Sequence, residues 1–325
     1  MTVSQCSGAK GEISMRRDVP MFIVLNAGSG RADATERLDT IKKVLNGAGR
    51  RHEVLVAENP WQVTALGQRA VELAQQEGGV VVVAGGDGTI NSVAQLVLEA
   101  GVPFGILPQG TFNYFSRTHG IPSGTAEATR TLLAAIVQPV QVGLINHRVF
   151  LVNASLGFYP QLLEDREAYK KRLGRSRIVA LWAGIMTIAR EHRQLVLELE
   201  HEGNVRTMRS ATLIAGNNRL QLEQLGIPEA VALRDGQLVA IAVRPVSKLG
   251  MFGLLLRGAL GQLGDAENVV SFAFKRLTVR LRRRLRRRRV KIATDGEVAW
   301  LDLPLVFQVS PKPLLLLVPP PETAA

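Results

Sequence analysis

Four consecutive valines, Val80–Val83, run through Ala84 into Gly85-Gly86-Asp87-Gly88-Thr89-Ile90-Asn91, and no other segment restricts the fold of this chain more. An unbroken apolar run of that length, cut off by glycines, reads as a strand buried on both faces of a helix-covered parallel sheet. A helix that starts just after it aims its free amides and positive dipole end back at the loop, which favours a phosphate. Gly85, Gly86 and Gly88 let backbone approach a ligand closely. Thr89 can cap the helix or donate to a phosphate oxygen. Asp87 would repel an anion, so it makes sense there if it takes part in chemistry or holds a metal that offsets its charge. A tight turn with a capping threonine is the plainer reading of a glycine pair, and the strand–turn–helix context favours the functional one. The chain has no GxxxxGK[ST] segment and no GxGxxG after its first strand, so a nucleotide site must be of another type.

Around this segment, short apolar runs alternate with helical patterns. Met21–Leu25 is a buried strand that ends in Asn26-Ala-Gly-Ser-Gly-Arg31. Ala34–Ala48 carries Leu38, Ile41, Val44 and Leu45 at helical spacing, Glu53–Ala57 is a second strand, Gln62–Gln76 a second helix, and Phe104–Leu107 a further strand. This alternation means parallel βαβ units with right-handed crossovers. From about Gln141 the texture turns strand-like, at Val149–Ser155, Leu195–His201, Thr207–Ala215, Gln237–Val243, Leu277–Leu281 and Val290–Ala293, with helical patterns at Arg177–Arg190 and Lys248–Gln262. At 325 residues, two domains are the better prior, with residues 1–19 as a disordered leader.

Two further turns carry polar groups. Leu107-Pro-Gln-Gly-Thr-Phe-Asn113 ends a strand in a Gly-Thr pair, like the first loop, and Arg117 follows. If the two strands are neighbours in a parallel sheet, both turns lie at its carboxyl edge, where such sheets bind ligands. Thr294-Asp295-Gly296-Glu297 follows the Val290–Ala293 strand. It reads either as a solvated hairpin, for which Asp-Gly is a preferred pair, or as the source of a general base.

In this order the segments resemble the catalytic domain shared by diacylglycerol, sphingosine and ceramide kinases, above all the bacterial diacylglycerol-kinase-like lipid kinases. The matching pieces are Asn26-Ala-Gly-Ser-Gly, GGDGTIN at Gly85–Asn91, LPQGTFN at Leu107–Asn113, LRDGQL at Leu233–Leu238 and DGE at Asp295–Glu297. The resemblance implies an α/β fold with ATP in the cleft between two domains. The N-terminal one, over residues 20–140, is a three-layer α/β/α nucleotide-binding domain, to which a last strand at about 312–320 returns. The C-terminal one, over 141–311, is a β-rich, sandwich-like lipid-substrate domain. It implies an ATP-dependent kinase acting on a lipid hydroxyl, with a diacylglycerol-like acceptor favoured. An NAD-kinase-like transferase acting on a soluble hydroxyl, and a non-catalytic nucleotide- or membrane-binding homologue, are the rival readings. Carried over residue by residue, Asn26, Ala57, Gly85, Gly86, Asp87, Gly88, Thr89, Ile90, Asn91 and Thr111 would contact the nucleotide. Glu297 would accept the hydroxyl proton, with Asp295 and Asp87 as the other candidates. Asp235, with the carbonyls of Ala232 and Gln237, would hold a structural Mg2+, and the catalytic Mg2+ would arrive with ATP. The family's second turn often reads Gly-Thr-x-Asn-Asp, whereas here Tyr114 follows Asn113, so no metal or base role carries over to that position.

Charge and composition bound the partners. Eight of the 40 basic residues lie in Arg280–Arg289, so most of the net charge of +12 is local. A nucleic-acid partner is not expected, because neither base-stacking aromatics nor a recognisable module accompanies the run. Docking on an anionic membrane surface and a merely solvated basic face remain. Met251–Leu263 reads as a buried core helix, or else as a wall of an acyl-chain entrance. The single cysteine, Cys6, forms no internal disulfide, and the first twenty residues lack a signal-peptide core. These point to the cytoplasm, with the inner membrane face as a peripheral site, and leave oligomeric state unread.

Overall fold

The computed structural model describes residues 13–14, 18–28, 31–110, 112–157, 194–282 and 288–321. The helix expected at 177–190 lies outside them, as does most of the leader expected at 1–19. Within that leader, Ile13 and Ser14 pair with Val137 and Ile136. The chain divides into two compact units, residues 1–140 with 313–325 and residues 141–312.

The first unit is built on a seven-stranded sheet. Its strand order is Ile13–Ser14, Ile136–Val140, Leu314–Val318, Phe104–Pro108, Val80–Gly85, Met21–Asn26, His52–Ala57. From Leu314–Val318 to His52–Ala57 neighbouring strands run parallel, and Ile136–Val140 pairs antiparallel to Leu314–Val318. The chain thus returns to this unit for its last strand after completing the second one. All four valines of Val80–Val83 are buried, as a central strand covered on both faces requires. Burying each contributes about 1.5 kcal/mol or more. Val80, Val82 and Ala84 pack with Ile23 and Leu25 against Ile41 and Leu45 of helix Arg31–Gly47 and Ala128 and Leu132 of helix Thr125–Ala134. Helices Gln62–Glu77 and Asp87–Ala100 pack against each other through Gly67, Val93 and Leu96, and they complete the three layers.

The second unit is a sandwich of two six-stranded sheets with antiparallel pairing. Phe150, Leu197, Leu277 and Phe307 of one sheet share a core with Leu156, Leu213, Ala240 and Ile292 of the other. Two runs expected to be single strands are each two. Val149–Ser155 is broken between Arg148–Phe150 and Asn153–Gly157, and Thr207–Ala215 is broken at Ala211, between Asn204–Ser210 and Thr212–Gly216. In both cases the chain leaves one sheet for the other, and the pairing partners change.

At the first of these crossings the backbone amides of Leu151, Val152 and Asn153 leave the ladder. All three donate to the Asp295 carboxylate, at 2.7, 2.8 and 2.9 Å. Asp295 and Gly296 form the two-residue hairpin turn between strands Arg289–Thr294 and Glu297–Asp302, both with positive φ (48° and 90°). The Asp295 amide donates in turn to the Asn153 carbonyl at 2.9 Å. Replacing this carboxylate strands three donors next to buried residues. We expect Asp295→Ala to lower unfolding free energy by about 3 kcal/mol or more, read as a lower urea midpoint, with Asp295→Asn recovering part of the loss. An unchanged midpoint for the alanine variant would mean the amides find other acceptors.

Candidate active site

Parallel pairing in the first unit sets the ends of its strands side by side. Asn26 pairs with Ala57, Leu25 with Ala84, and Gly85 with Pro108, so four loops leave the same carboxyl edge. The sheet's pairing extends one step into the loops, where the Gln109 amide donates to the Gly85 carbonyl at 2.8 Å. Asn26 Nδ2 donates to Thr89 Oγ1 at 2.8 Å, which ties the first loop to the glycine loop. With Oγ1 accepting from Asn26, the hydroxyl proton of Thr89 is directed elsewhere. Gly85 is required here, because a Cβ on it would lie 2.7 Å from the Thr89 side chain.

Two glycine turns meet at this edge. A Cβ on Gly110 would come within 3.4 Å of Gly86 Cα and of Asp87 Oδ2, and within 2.7 Å of Asn113 Oδ1. Asn113, at φ 46°, closes its own turn by accepting from the Gly110 amide at 3.0 Å and donating to the Gly110 carbonyl at 2.8 Å. Gly86 is the N-cap of helix Asp87–Ala100, and first-turn amides have no partner within a helix. Ile90 is buried and its amide donates to the Gly86 carbonyl at 3.0 Å; Asn91 is buried as well. Thr111 lies outside the described residues. Burial raises the Asp87 pKa above the ordinary carboxylate value, and the backbone amides of Asn113 and Asp87 itself oppose that rise. Tyr114 stacks on Phe112 with ring centroids 6.0 Å apart, and the Arg117 guanidinium lies 5.9 Å from its ring.

The pattern of residues did not single out Gln109. Its Oε1 lies 3.5 Å from Arg37 Nη1, and its Nε2 is buried with no acceptor among the described residues. It is a donor beside the two glycine turns.

In the second unit Glu297 opens the strand that leaves the Asp295-Gly296 turn. Because Asp295 turns its carboxylate onto the Leu151–Asn153 amides, the two acids of the DGE segment have different surroundings. Arg148 Nε donates to Thr294 Oγ1 at 3.0 Å and its Nη2 lies 3.5 Å from Glu297 Oε2. Sequence reasoning passed over Arg148, which lies 149 positions from Glu297, on a strand of the other sheet, and is brought to it only by the fold. The Glu297 side chain is 47% exposed, so the pair is screened and contributes little stability; its effect is on orientation and charge. Partial desolvation still raises the Glu297 pKa, and Arg148 works against that rise.

Asp235 is exposed at the end of the 3-10 helix Pro228–Asp235. The Ala232 carbonyl accepts from the Gln237 amide at 3.3 Å and the Gln237 carbonyl accepts from Gln141 Nε2 at 3.0 Å. Among the described residues no three His, Cys, Asp or Glu side chains form a cluster for a metal. The Asp235 carboxylate and the Ala232 and Gln237 carbonyls are all oxygen donors, the ligand type that Mg2+ takes.

Comparison with known proteins gives this geometry a family. The family model described as the diacylglycerol kinase catalytic domain matches residues 20–145. An uncharacterized protein of Synechocystis is 30% identical over 204 residues, 60% of this chain and 46% of its own length. A diacylglycerol kinase of Bacillus subtilis is 28% identical over 187 residues, 56% of this chain and 60% of its own. The chain thus spans about half the length of these curated relatives. A crystal structure of a diacylglycerol kinase from Bacillus anthracis superposes with a TM-score of 0.67 over 94% of this chain and 99% of that one, at 19% identity, a likeness of fold. Over residues 20–145 this chain is therefore similar to the diacylglycerol kinase catalytic domain family.

Proposed function

We infer that the protein transfers the γ-phosphoryl group of ATP to the hydroxyl of a lipid, with a diacylglycerol-like acceptor favoured. The observation that carries this reading is the pair of glycine turns, Gly85–Thr89 and Gln109–Asn113, held together at one sheet edge with Asp87 beside them, in a family of lipid kinases. A phosphate chain fits against the Gly86–Thr89 amides and helix dipole, with the Thr89 hydroxyl and Gln109 Nε2 as further donors. The lipid oxygen forms a bond to the γ-phosphorus as the bond to the bridging β–γ oxygen breaks, and ADP leaves. The hydroxyl proton passes to the Glu297 carboxylate, which Arg148 orients. Mg2+ supplies charge neutralisation on the phosphates when bound. Asp235 and the Ala232 and Gln237 carbonyls would hold a second, structural ion. Asp295 serves by fixing the turn that carries Glu297.

The enzyme would work at the cytoplasmic face of a membrane, and we assign Arg280–Arg289 to its anionic surface, where each arginine contributes about 1 kcal/mol. Incubating the protein with labelled ATP and either lipid extract or NAD tests the reading. Labelled lipid supports it, labelled NAD phosphate replaces it with a soluble acceptor, and ATP binding without product would show a non-catalytic relative.

Glu297→Gln is expected to lower kcat about 100- to 10,000-fold while leaving the circular dichroism spectrum unchanged. Asp87→Asn should likewise abolish turnover, yet be at least as stable as wild type at pH 7. The ionised Asp87 is disfavoured by burial, so the advantage of asparagine grows as pH rises above the ordinary carboxylate range and vanishes below it. Urea midpoints at pH 4 and pH 7 read this directly. Arg148→Gln removes the charge that holds the Glu297 pKa down, so the acid limb of the pH–rate profile should move to higher pH. An unmoved limb would take Glu297 out of the base role.

A further inference from the structure

Met251–Leu263 reads from sequence as a buried core helix or as a wall of an acyl-chain entrance, and helix Lys248–Ala259 is buried along one side only. Met251 and Leu254 face inward, Met251 against Ala211 and Leu254 against Val243 and Ala266. On the other side Leu249, Phe252, Leu256 and Leu260 are 85%, 48%, 56% and 64% exposed. These positions are spaced i, i+3, i+7 and i+11, so at 100° per residue they form one stripe along the helix. No acidic residue occurs between positions 248 and 264.

Arginines surround the same end of the second unit. Ala211 packs against Met251 of the helix, and its amide donates to the Val243 carbonyl at 2.9 Å. Arg244 follows Val243, Arg209 precedes Ala211 by two residues, and both are exposed. Arg209 pairs with Val196, whose carbonyl receives the Arg282 amide at 2.9 Å, so Arg282 lies two strand spacings, about 10 Å, from Arg209. Arg282 also lies 3.7 Å from Glu198, a pair exposed enough to be exchanged for another anion. Arg257 adds an exposed cation on the helix itself.

An exposed apolar stripe edged by arginines has the chemistry of a helix that lies in a lipid–water interface. A second copy of the chain is the weaker candidate. Four partly exposed side chains offer on the order of 500 Å², short of the roughly 800 Å² per partner of a standard protein interface. We propose that this helix docks on an anionic phospholipid bilayer, with Leu249, Phe252, Leu256 and Leu260 entering the boundary between headgroups and acyl chains and Arg209, Arg244, Arg257 and Arg282 contacting headgroup phosphates. The choice of a membrane as partner rests on the lipid-acceptor reading.

Co-sedimentation of the full chain with vesicles of mixed phosphatidylglycerol and phosphatidylcholine, against phosphatidylcholine alone, tests the surface. Wild type should favour the anionic vesicles. The double variant Phe252→Asp, Leu256→Asp should bind them at least about tenfold more weakly while phosphorylating a water-soluble, short-chain diacylglycerol at the wild-type rate. Arg209→Glu with Arg244→Glu should weaken binding and flatten its dependence on salt. Leu256→Trp supplies a readout that needs no destabilising charge, since its fluorescence should be quenched by brominated lipid. Wild-type affinity in the aspartate variant, or a tryptophan that brominated lipid does not quench, overturns the proposal. So does a wild-type dimer that the aspartate variant dissociates with vesicle affinity unchanged. If wild type fails to phosphorylate the short-chain substrate, the lipid-acceptor reading falls, and the vesicle measurements still decide the docking surface.

Discussion

Backbone hydrogen bonding along both edges of Val80–Gly85 is the constraint on which the geometry of the two glycine turns depends. Met21–Asn26 on one side and Phe104–Pro108 on the other are held in parallel register with it, so their loops have no choice but to leave together. The bond from Gln109 to Gly85 carries that register one residue beyond the sheet. The glycines then decide how near the two turns come, because Gly86 and Gly110 approach to distances that leave a side chain at Gly110 no room beside Asn113. A buried apolar strand thus sets the separation of polar groups that its own side chains never touch.

The second unit solves a different problem. Where a chain crosses between the sheets of a sandwich, its amides lose their ladder partners and must find others. Asp295 supplies them for Leu151, Val152 and Asn153, and it does so from a turn whose left-handed backbone suits an Asp-Gly pair. The solvated-hairpin and catalytic readings of DGE therefore divide between its two acids. Asp295 belongs to the architecture, and Glu297, half-exposed and beside Arg148, is the acid on which the proposed proton transfer rests.

How legible each part was follows from the range of the forces involved. The parallel strands and their helices announce themselves through local patterning, since burial on both faces leaves an all-apolar run such as Val80–Ala84. Sheet switching leaves no such mark: Ser210-Ala211-Thr212 carries no glycine or proline, and only the change of partner ends the strand. Ile136–Val140 went unread because Pro139 argues against a strand, although it pairs antiparallel with Leu314–Val318. In the site, the glycine turns were legible as motifs, whereas Arg148 and Gln109 gain their meaning from contacts 149 and 72 positions away. The helix at Lys248–Ala259 misled for the opposite reason. Its composition says apolar all round, and composition cannot distinguish a helix buried on every side from one with an uncovered face.

Asp87 draws these threads to one residue. Burial disfavours its charge, while its place in the first turn of a helix, with the amides of Asn113 and its own backbone nearby, favours it. A carboxylate kept under such opposed influences is poorly explained as packing, because an asparagine would accept the same amides without the desolvation cost. Retaining the acid makes physical sense if something binds there that the charge serves, and a cation-neutralised phosphate chain is such a ligand. The same reasoning separates Asp87 from Asp295. Three backbone donors account for the charge on Asp295 without any ligand, whereas for Asp87 the proposed cation-neutralised phosphate is what would balance it.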